Sequence, residues 1–516
     1  MTGKTTSRFS PEVREAMPRR EPPHQPAGRV NGQIKRRYMG LETLPPISAA
    51  PTVSLPAVGR LTAAMPAQQT RALLHHHQGL DPPAALAPLI RESPAPAPRT
   101  PALSETRLAT PLRPPHLPST MPPTPDRPLY LDHHSTTPPD PRVLAAMRPW
   151  WEENFANPGS VEHALGRAAE EAVEQARTHI AELIGADARE IILTSGATEA
   201  NNLAIKGAAR FAAGQGADRR RIVTAATEHK CVLESVRDLA AEGFEPVILP
   251  VDANGLLDPG ALRAAVDERT LLVSVMAVNN EIGVIQDLAA IGAVAKEAGA
   301  LFHTDAAQAA GRIALDVEEI RADLLSLSGH KVYGPKGIGA LYVRRRPRVR
   351  LAPLFSGGGQ ERGLRSGTLP APLVVGFGEA CRIAAIEGLL DAGRIAGQRE
   401  RFLAALAAAI PGTAMNAADA PRVAGNASIA FPGGVSAQDI MAAAPMLCVS
   451  TGSACSSAEI EPSHVLRAIG LDETRARATL RIGIGRFTSP ADVEQAAAML
   501  AQAWSAAVRG TGRAAG

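Results

Sequence analysis

Leu324-Leu-Ser-Leu-Ser-Gly-His-Lys331-Val-Tyr-Gly-Pro-Lys-Gly337 is the stretch from which this chain can be read. Its apolar run, 324–328, has the length of a buried strand. The run ends in Ser-Gly-His and a lysine, and Gly334 and Gly337 then turn the chain into a loop. Runs of the same kind stand before it at 191–193, 222–223, 246–251, 271–278 and 301–305, and one follows at 339–343. Between them, 162–184, 198–213, 231–241 and 288–298 have helical periodicity. This alternation predicts an α/β fold, a mostly parallel sheet covered by helices on both faces. A long helical stretch at 370–409 leads into a more mixed region with short strands at 427–431 and 479–484. We therefore expect a large domain over 122–385 and a smaller α+β domain over 386–516.

Residues 1–121 differ in character. They are rich in Pro, Ala and Arg, as in Ser93-Pro-Ala-Pro-Ala-Pro-Arg99, and show no sustained periodicity. Such a segment buries too little apolar surface to offset its ordering entropy, so disorder is expected. It has no apolar core of the secretory type near Met1, and Met121 is an alternative start. The whole chain is 45% hydrophobic and 20% charged, enough to build a sizeable core. A net charge of +3 over 516 residues gives no reason to expect a nucleic acid or membrane partner. No apolar run approaches the roughly 18 residues of a membrane span. The expected location is cytoplasmic. Four sparse cysteines, Cys231, Cys381, Cys448 and Cys455, form no CxxC pair, which argues against disulfides and against an intrinsic metal site.

Several residues have chemical potential. Lys331 ends a buried strand, where a free ammonium is costly. It is either a solvent-facing loop lysine or an amine in covalent partnership, such as a Schiff base with pyridoxal phosphate. Ser328 and His330 beside it could hold a phosphate. Asp305 follows another apolar strand and is either a helix cap or the carboxylate that keeps a pyridine nitrogen protonated, with Gln308 near the ring hydroxyl. Ala197 and Thr198 open a helix after Ser195-Gly196, which suits an anion or a plain capping box. His229 could stack on a cofactor ring or be structural. Arg481 could grip a substrate carboxylate or form a domain-interface ion pair. Cys455, in Thr451-Gly-Ser-Ala-Cys455-Ser-Ser, sits among small residues with no apolar anchor. That setting suits a reactive thiol better than a buried one.

Taken together and in order, these segments resemble the cysteine desulfurases of the NifS/IscS type. The resemblance runs from Leu129-Tyr-Leu-Asp132 through Ser195-Gly-Ala-Thr-Glu199, Glu228-His229-Lys230, Val278-Asn-Asn-Glu-Ile-Gly283, Ser328-Gly-His-Lys331 and Arg365-Ser-Gly-Thr368 to Gly452-Ser-Ala-Cys455, ending near Gly485-Arg-Phe487. It implies a fold-type I pyridoxal-phosphate transferase, related to class V aminotransferases and working as a homodimer. It implies that Lys331 is the Schiff-base lysine and Cys455 the nucleophile that becomes a persulfide. Asp305 would pair with the pyridinium, Gln308 and Asn280 would hydrogen-bond cofactor or substrate, and His229 would stack on the ring. Ala197, Thr198, Ser328 and His330 would bind the phosphate, with Thr368 completing that site from the neighbouring subunit. Arg481 would bind the carboxylate of L-cysteine. The implied activity converts L-cysteine to L-alanine and supplies sulfur for iron–sulfur clusters or other thio-cofactors. A selenocysteine lyase or a class V aminotransferase is the alternative. The implied acceptor is a scaffold protein, toward which Cys455 could serve as a transient cluster ligand. The sequence ends at Gly516 without the longer tail used for such docking, so the acceptor stays open.

Overall fold

The computed structural model describes residues 128–452 and 462–514, with side chains to residue 510. The expected disordered arm therefore lies outside the described residues, and so does Cys455. The strands, in chain order, are β1 (Leu129–Tyr130), β2 (Ile191–Thr194), β3 (Arg221–Ala225), β4 (Glu245–Leu249), β5 (Thr270–Ser274) and β6 (Leu301–Asp305). They continue with β7 (Leu324–Ser328), β8 (Gly339–Val343), β9 (Ala414–Met415), β10 (Asn426–Ala430), β11 (Leu447–Cys448) and β12 (Thr479–Gly483).

Seven strands form the main sheet in the order β2-β8-β7-β6-β5-β3-β4. Neighbours are parallel except at β8, which runs antiparallel to both β2 and β7. The strands read as apolar runs because both faces of the sheet are covered. Side chains alternate across a strand. Val223, Val273 and Leu325 accordingly join one core with Phe302, Ile180 and Phe377. Their neighbours Ile222, Leu272 and Leu324 join another with Leu203, Val232 and Leu341. Each such side chain contributes roughly 1.5–3 kcal/mol when fully buried.

One expected strand is shorter than its apolar run. The stretch 271–278 is a strand only to Ser274. Two residues beyond, the Met276 N–H is donated to the Glu228 carboxylate at 2.5 Å. A side chain thus takes a backbone donor of the kind that a strand partner would otherwise use.

The 39-residue helix Ala371–Ala409 crosses the expected domain boundary without a break. Its first half buries Val374, Phe377 and Cys381 in the core of the main sheet. Its second half buries Phe402 and Leu406 in a separate core with Ile429, Ile482 and Leu500. That second core is backed by the antiparallel sheet β12-β10-β9. Leu131 belongs to it as well, and β1 pairs in parallel with β11. The segment 129–131 thus packs with the C-terminal part of the chain before the chain runs on to the main sheet.

Candidate active site

The parallel strands share one carboxyl edge, where open α/β sheets hold their ligands. Lys331 stands there in a short turn of 3-10 helix, Gly329–Lys331, directly after β7. Its Nζ donates to the carbonyls of His134 (2.6 Å) and Ser135 (2.7 Å). Gln308 Nε2 donates to the same His134 carbonyl at 2.8 Å, and Gln308 Oε1 lies 3.1 Å from His134 Nδ1. His134 thus joins two residues singled out from the sequence. It was missed there, and the signal available was a His-His pair directly behind the short apolar run 129–131.

Asp305 ends β6, the strand beside β7. Its Oδ2 accepts from Asn201 Nδ2 at 2.7 Å and its Oδ1 from the Ala307 N–H at 2.9 Å. Asn201 Nδ2 also lies 3.2 Å from Cys231 Sγ, which lies 3.0 Å from His229 Nδ1. A polar chain therefore runs from Asp305 to His229. His229 caps the helix Lys230–Asp238, its Nδ1 accepting the Cys231 N–H. An accepting Nδ1 puts the proton of the neutral ring on Nε2.

Arg481 comes from β12 and is buried. It pairs with Asp132 at 2.7 Å and donates to the Asn280 carbonyl at 2.9 Å. In this structure it makes an ion pair with the segment that follows β1 and reaches across to the loop after β5. Its Nε has no hydrogen-bond partner among the described residues.

At the other end, Gly196 (φ 154°) precedes the helix Ala197–Gly214 and offers no side-chain cap. The N–H groups of Ala197 and Thr198 open that helix. Glu199 instead accepts the Ser195 N–H (2.8 Å) and pairs with Arg365 (2.8 Å). Ser328 ends β7 and is buried. His330 Nδ1 lies 3.1 Å from Thr136 Oγ1, and its carbonyl accepts from the Thr137 hydroxyl at 2.8 Å. Burial, with Lys331, Lys336 and Arg312 nearby, pushes His330 down to about 4. Thr368 is exposed.

Two further histidines are buried uncharged. Burial, then Arg312 and Arg481, hold His134 well below the ordinary value. His303, between the hydroxyls of Ser274 and Ser326, is pushed down to about 3 by burial. From about pH 6.5 down to about pH 4 the unfolded chain carries these protons and the folded chain does not. Stability is therefore expected to fall as pH drops through that window. The slope is up to about 1.4 kcal/mol per pH unit for each histidine. Urea midpoints at about pH 7.5, 6 and 5 measure this, and a flat series would contradict it.

Four buried polar atoms around this edge have no partner among the described residues: His134 Nε2, Asn201 Oδ1, Glu228 Oε2 and Arg481 Nε. Such atoms are costly unless a polar ligand meets them. A lysine amine, a carboxylate one strand away, an uncapped helix N-terminus and these atoms fit pyridoxal phosphate. Fold and donor set together define an α/β enzyme of the pyridoxal-phosphate type.

The chain belongs to the family described as Aminotransferase class-V, whose sequence model matches residues 129–496. It is 53% identical over 369 residues to a mitochondrial cysteine desulfurase of Arthroderma benhamiae, covering 72% of this chain and 73% of that one. It is 51% identical over 373 residues to cysteine desulfurase IscS of Rickettsia bellii, covering 72% of this chain and 90% of that one. Among solved structures it resembles a NifS-like protein, with a TM-score of 0.67 and 33% identity over 73% of this chain and 99% of the other.

Proposed function

We propose that this chain is a cysteine desulfurase. L-Cysteine and the Cys455 thiol are converted to L-alanine and a Cys455 persulfide. The carrying observation is Lys331 at the end of β7, one strand from Asp305. Relatives at about half identity named as cysteine desulfurases support the choice within the family over a transaminase or a selenocysteine lyase.

Pyridoxal phosphate, when bound, supplies an aldehyde for the substrate amine and a ring that takes up the electron pair left on the α-carbon. Lys331 Nζ would remove the α-proton and later return a proton to the substrate carbons. The Asp305 carboxylate would hold the proton on the ring nitrogen. Gln308 and Asn280 would hydrogen-bond cofactor or substrate, and His229 would stack on the ring with its Nε2–H outward from the cap. Ala197, Thr198, Ser328 and His330 would hold the phosphate. Arg481 would turn its donors, Nε included, toward the substrate carboxylate. The Cys455 thiolate would attack the substrate sulfur. An S–S bond forms, the Cβ–S bond breaks, and its electron pair stays on Cβ, which takes a proton to become the methyl of alanine.

The reading includes a homodimer in which Thr368 of a second copy completes the phosphate site. An acceptor protein takes the persulfide sulfur, with iron–sulfur cluster assembly as the proposed destination. Incubation with L-cysteine and a reductant should give alanine and sulfide in equal amounts. Amino transfer to a 2-oxo acid without sulfide release would refute the reading.

A further inference from the structure

The loop after Val278 carries two adjacent polar residues with separate tasks. The Asn280 carbonyl meets Arg481. The Glu281 side chain points elsewhere and is 4% exposed. Its Oε2 accepts the Ser463 hydroxyl at 2.5 Å. A Cβ built on Gly452 would lie 2.9 Å from the same oxygen, so the carboxyl packs directly on Gly452 Cα. Gly452 also has a φ of +94°, which disfavours any side chain there. Gly452 and Ser463 flank the segment that contains Cys455.

Both flanks are tied down further. The Gly452 N–H donates to Ser450 Oγ and its carbonyl accepts from Arg481, each at 3.3 Å. Ser463 Oγ caps the helix His464–Ala468, accepting the Val465 N–H at 3.0 Å. His464 Nε2 lies 3.0 Å from the Glu228 carbonyl. The Glu281 backbone is itself pinned, its N–H to Asn279 Oδ1 (2.8 Å) and its carbonyl to Asn426 Nδ2 (3.1 Å). One carboxyl from the loop after β5 thus meets both stems of the cysteine-bearing segment.

We infer that Glu281 is a positioning residue for the sulfur-transfer step, fixing both stems of the segment that presents Cys455. This rests on the reading of Cys455 given above. Burial raises the Glu281 carboxyl above its usual range, against the lowering from Ser463, His464 and Arg481. An uncharged amide that can still accept from Ser463 should therefore substitute for it.

The test uses the holoenzyme and the variants Glu281→Ala, Glu281→Gln and Ser463→Ala. The readouts are cofactor content, the spectral change on adding L-cysteine, KM, and the single-turnover rate of persulfide formation at Cys455 by mass spectrometry. Glu281→Ala should keep its cofactor, its spectral response and a KM near that of the parent. Its persulfide rate should fall on the order of 10–100-fold, the scale of a misplaced reacting group. Glu281→Gln should recover most of that loss, and Ser463→Ala should show part of it. A parental persulfide rate in Glu281→Ala overturns the inference. So does a loss of cofactor or spectral response in proportion to the rate, which marks a general structural role. If Glu281→Ala does not fold, a folded Ser463→Ala with the parental rate overturns it equally. A parent enzyme that forms no persulfide on Cys455 would instead overturn the proposed function, and this inference with it.

Discussion

A Lys331→Ala protein is expected to be colourless in the visible range and to turn over L-cysteine at least about 10³-fold more slowly. Lys331 has two tasks in the proposed chemistry, covalent attachment of the cofactor and proton movement at the α-carbon. Its amine is held at the carboxyl edge by the His134 and Ser135 carbonyls. Lys206 and Lys296 are engaged elsewhere, with Asp238 and Asp323. The substitution should leave the fold intact. It removes the bonds to the His134 and Ser135 carbonyls, each worth roughly 1.5–3 kcal/mol as a hydrogen bond from a charged group, a loss within reach of an ordinary domain's stability. Asp305, Ala197 and Thr198 do not depend on it, so weak binding of the cofactor should survive. A small primary amine added to the solution should restore a fraction of the proton transfer. Absorbance spectra and alanine release measure the outcome, and a yellow, active Lys331→Ala protein would sink the assignment.

The main sheet was legible in the sequence because its strands are short apolar runs separated by helical periodicity. Lys331 and Asp305 could be found because each ends such a run. Their surroundings could not be read, since they are assembled from distant segments. Asp132 meets Arg481 across 349 residues of sequence, and Lys331 meets His134 across 197. Glu228 shows the same limit from the other side. Its neighbour His229 is conspicuous in the sequence as a titratable ring, while nothing local distinguishes Glu228 from a surface acid. In the fold it is wholly buried, and burial followed by the nearby Asp305 raises it well above the usual carboxylate range. No local pattern predicts that burial, because the Met276 N–H it accepts comes from another strand's end. Cys231 shows the same limit: nothing in its own segment marks it, yet in the fold its Sγ stands between Asn201 Nδ2 and His229 Nδ1. Cys231→Ala is expected to slow turnover, even though the thiol forms no persulfide in the proposed mechanism, and alanine release measures it.

Cys455→Ser separates the two chemical tasks. The contacts proposed for the cofactor come from Lys331, Asp305, Gln308, Asn280, His229, Ser328, His330, the 197–198 helix start and Thr368 of a second copy, none of which needs the thiol. The serine variant should therefore bind cofactor, remain yellow, and still change its spectrum when L-cysteine is added. Alanine release should fall by at least about 10²–10³-fold, because a neutral hydroxyl is a far poorer nucleophile toward sulfur than a thiolate. No persulfide should be detected on the variant. The other thiols make internal controls. Cys381 is buried in the core, and burial pushes its thiol far above the ordinary range, so it stays protonated and inert. Cys448 lies in β11, where burial and then Asp132 raise its thiol as well. Neither is disposed to attack. Persulfide labelling and alanine release on Cys455→Ser, Cys381→Ala and Cys448→Ala decide the matter together. Labelling that persisted in Cys455→Ser and vanished in Cys448→Ala would move the sulfur-transfer role to the thiol beside Asp132, at the junction of β1 and β11.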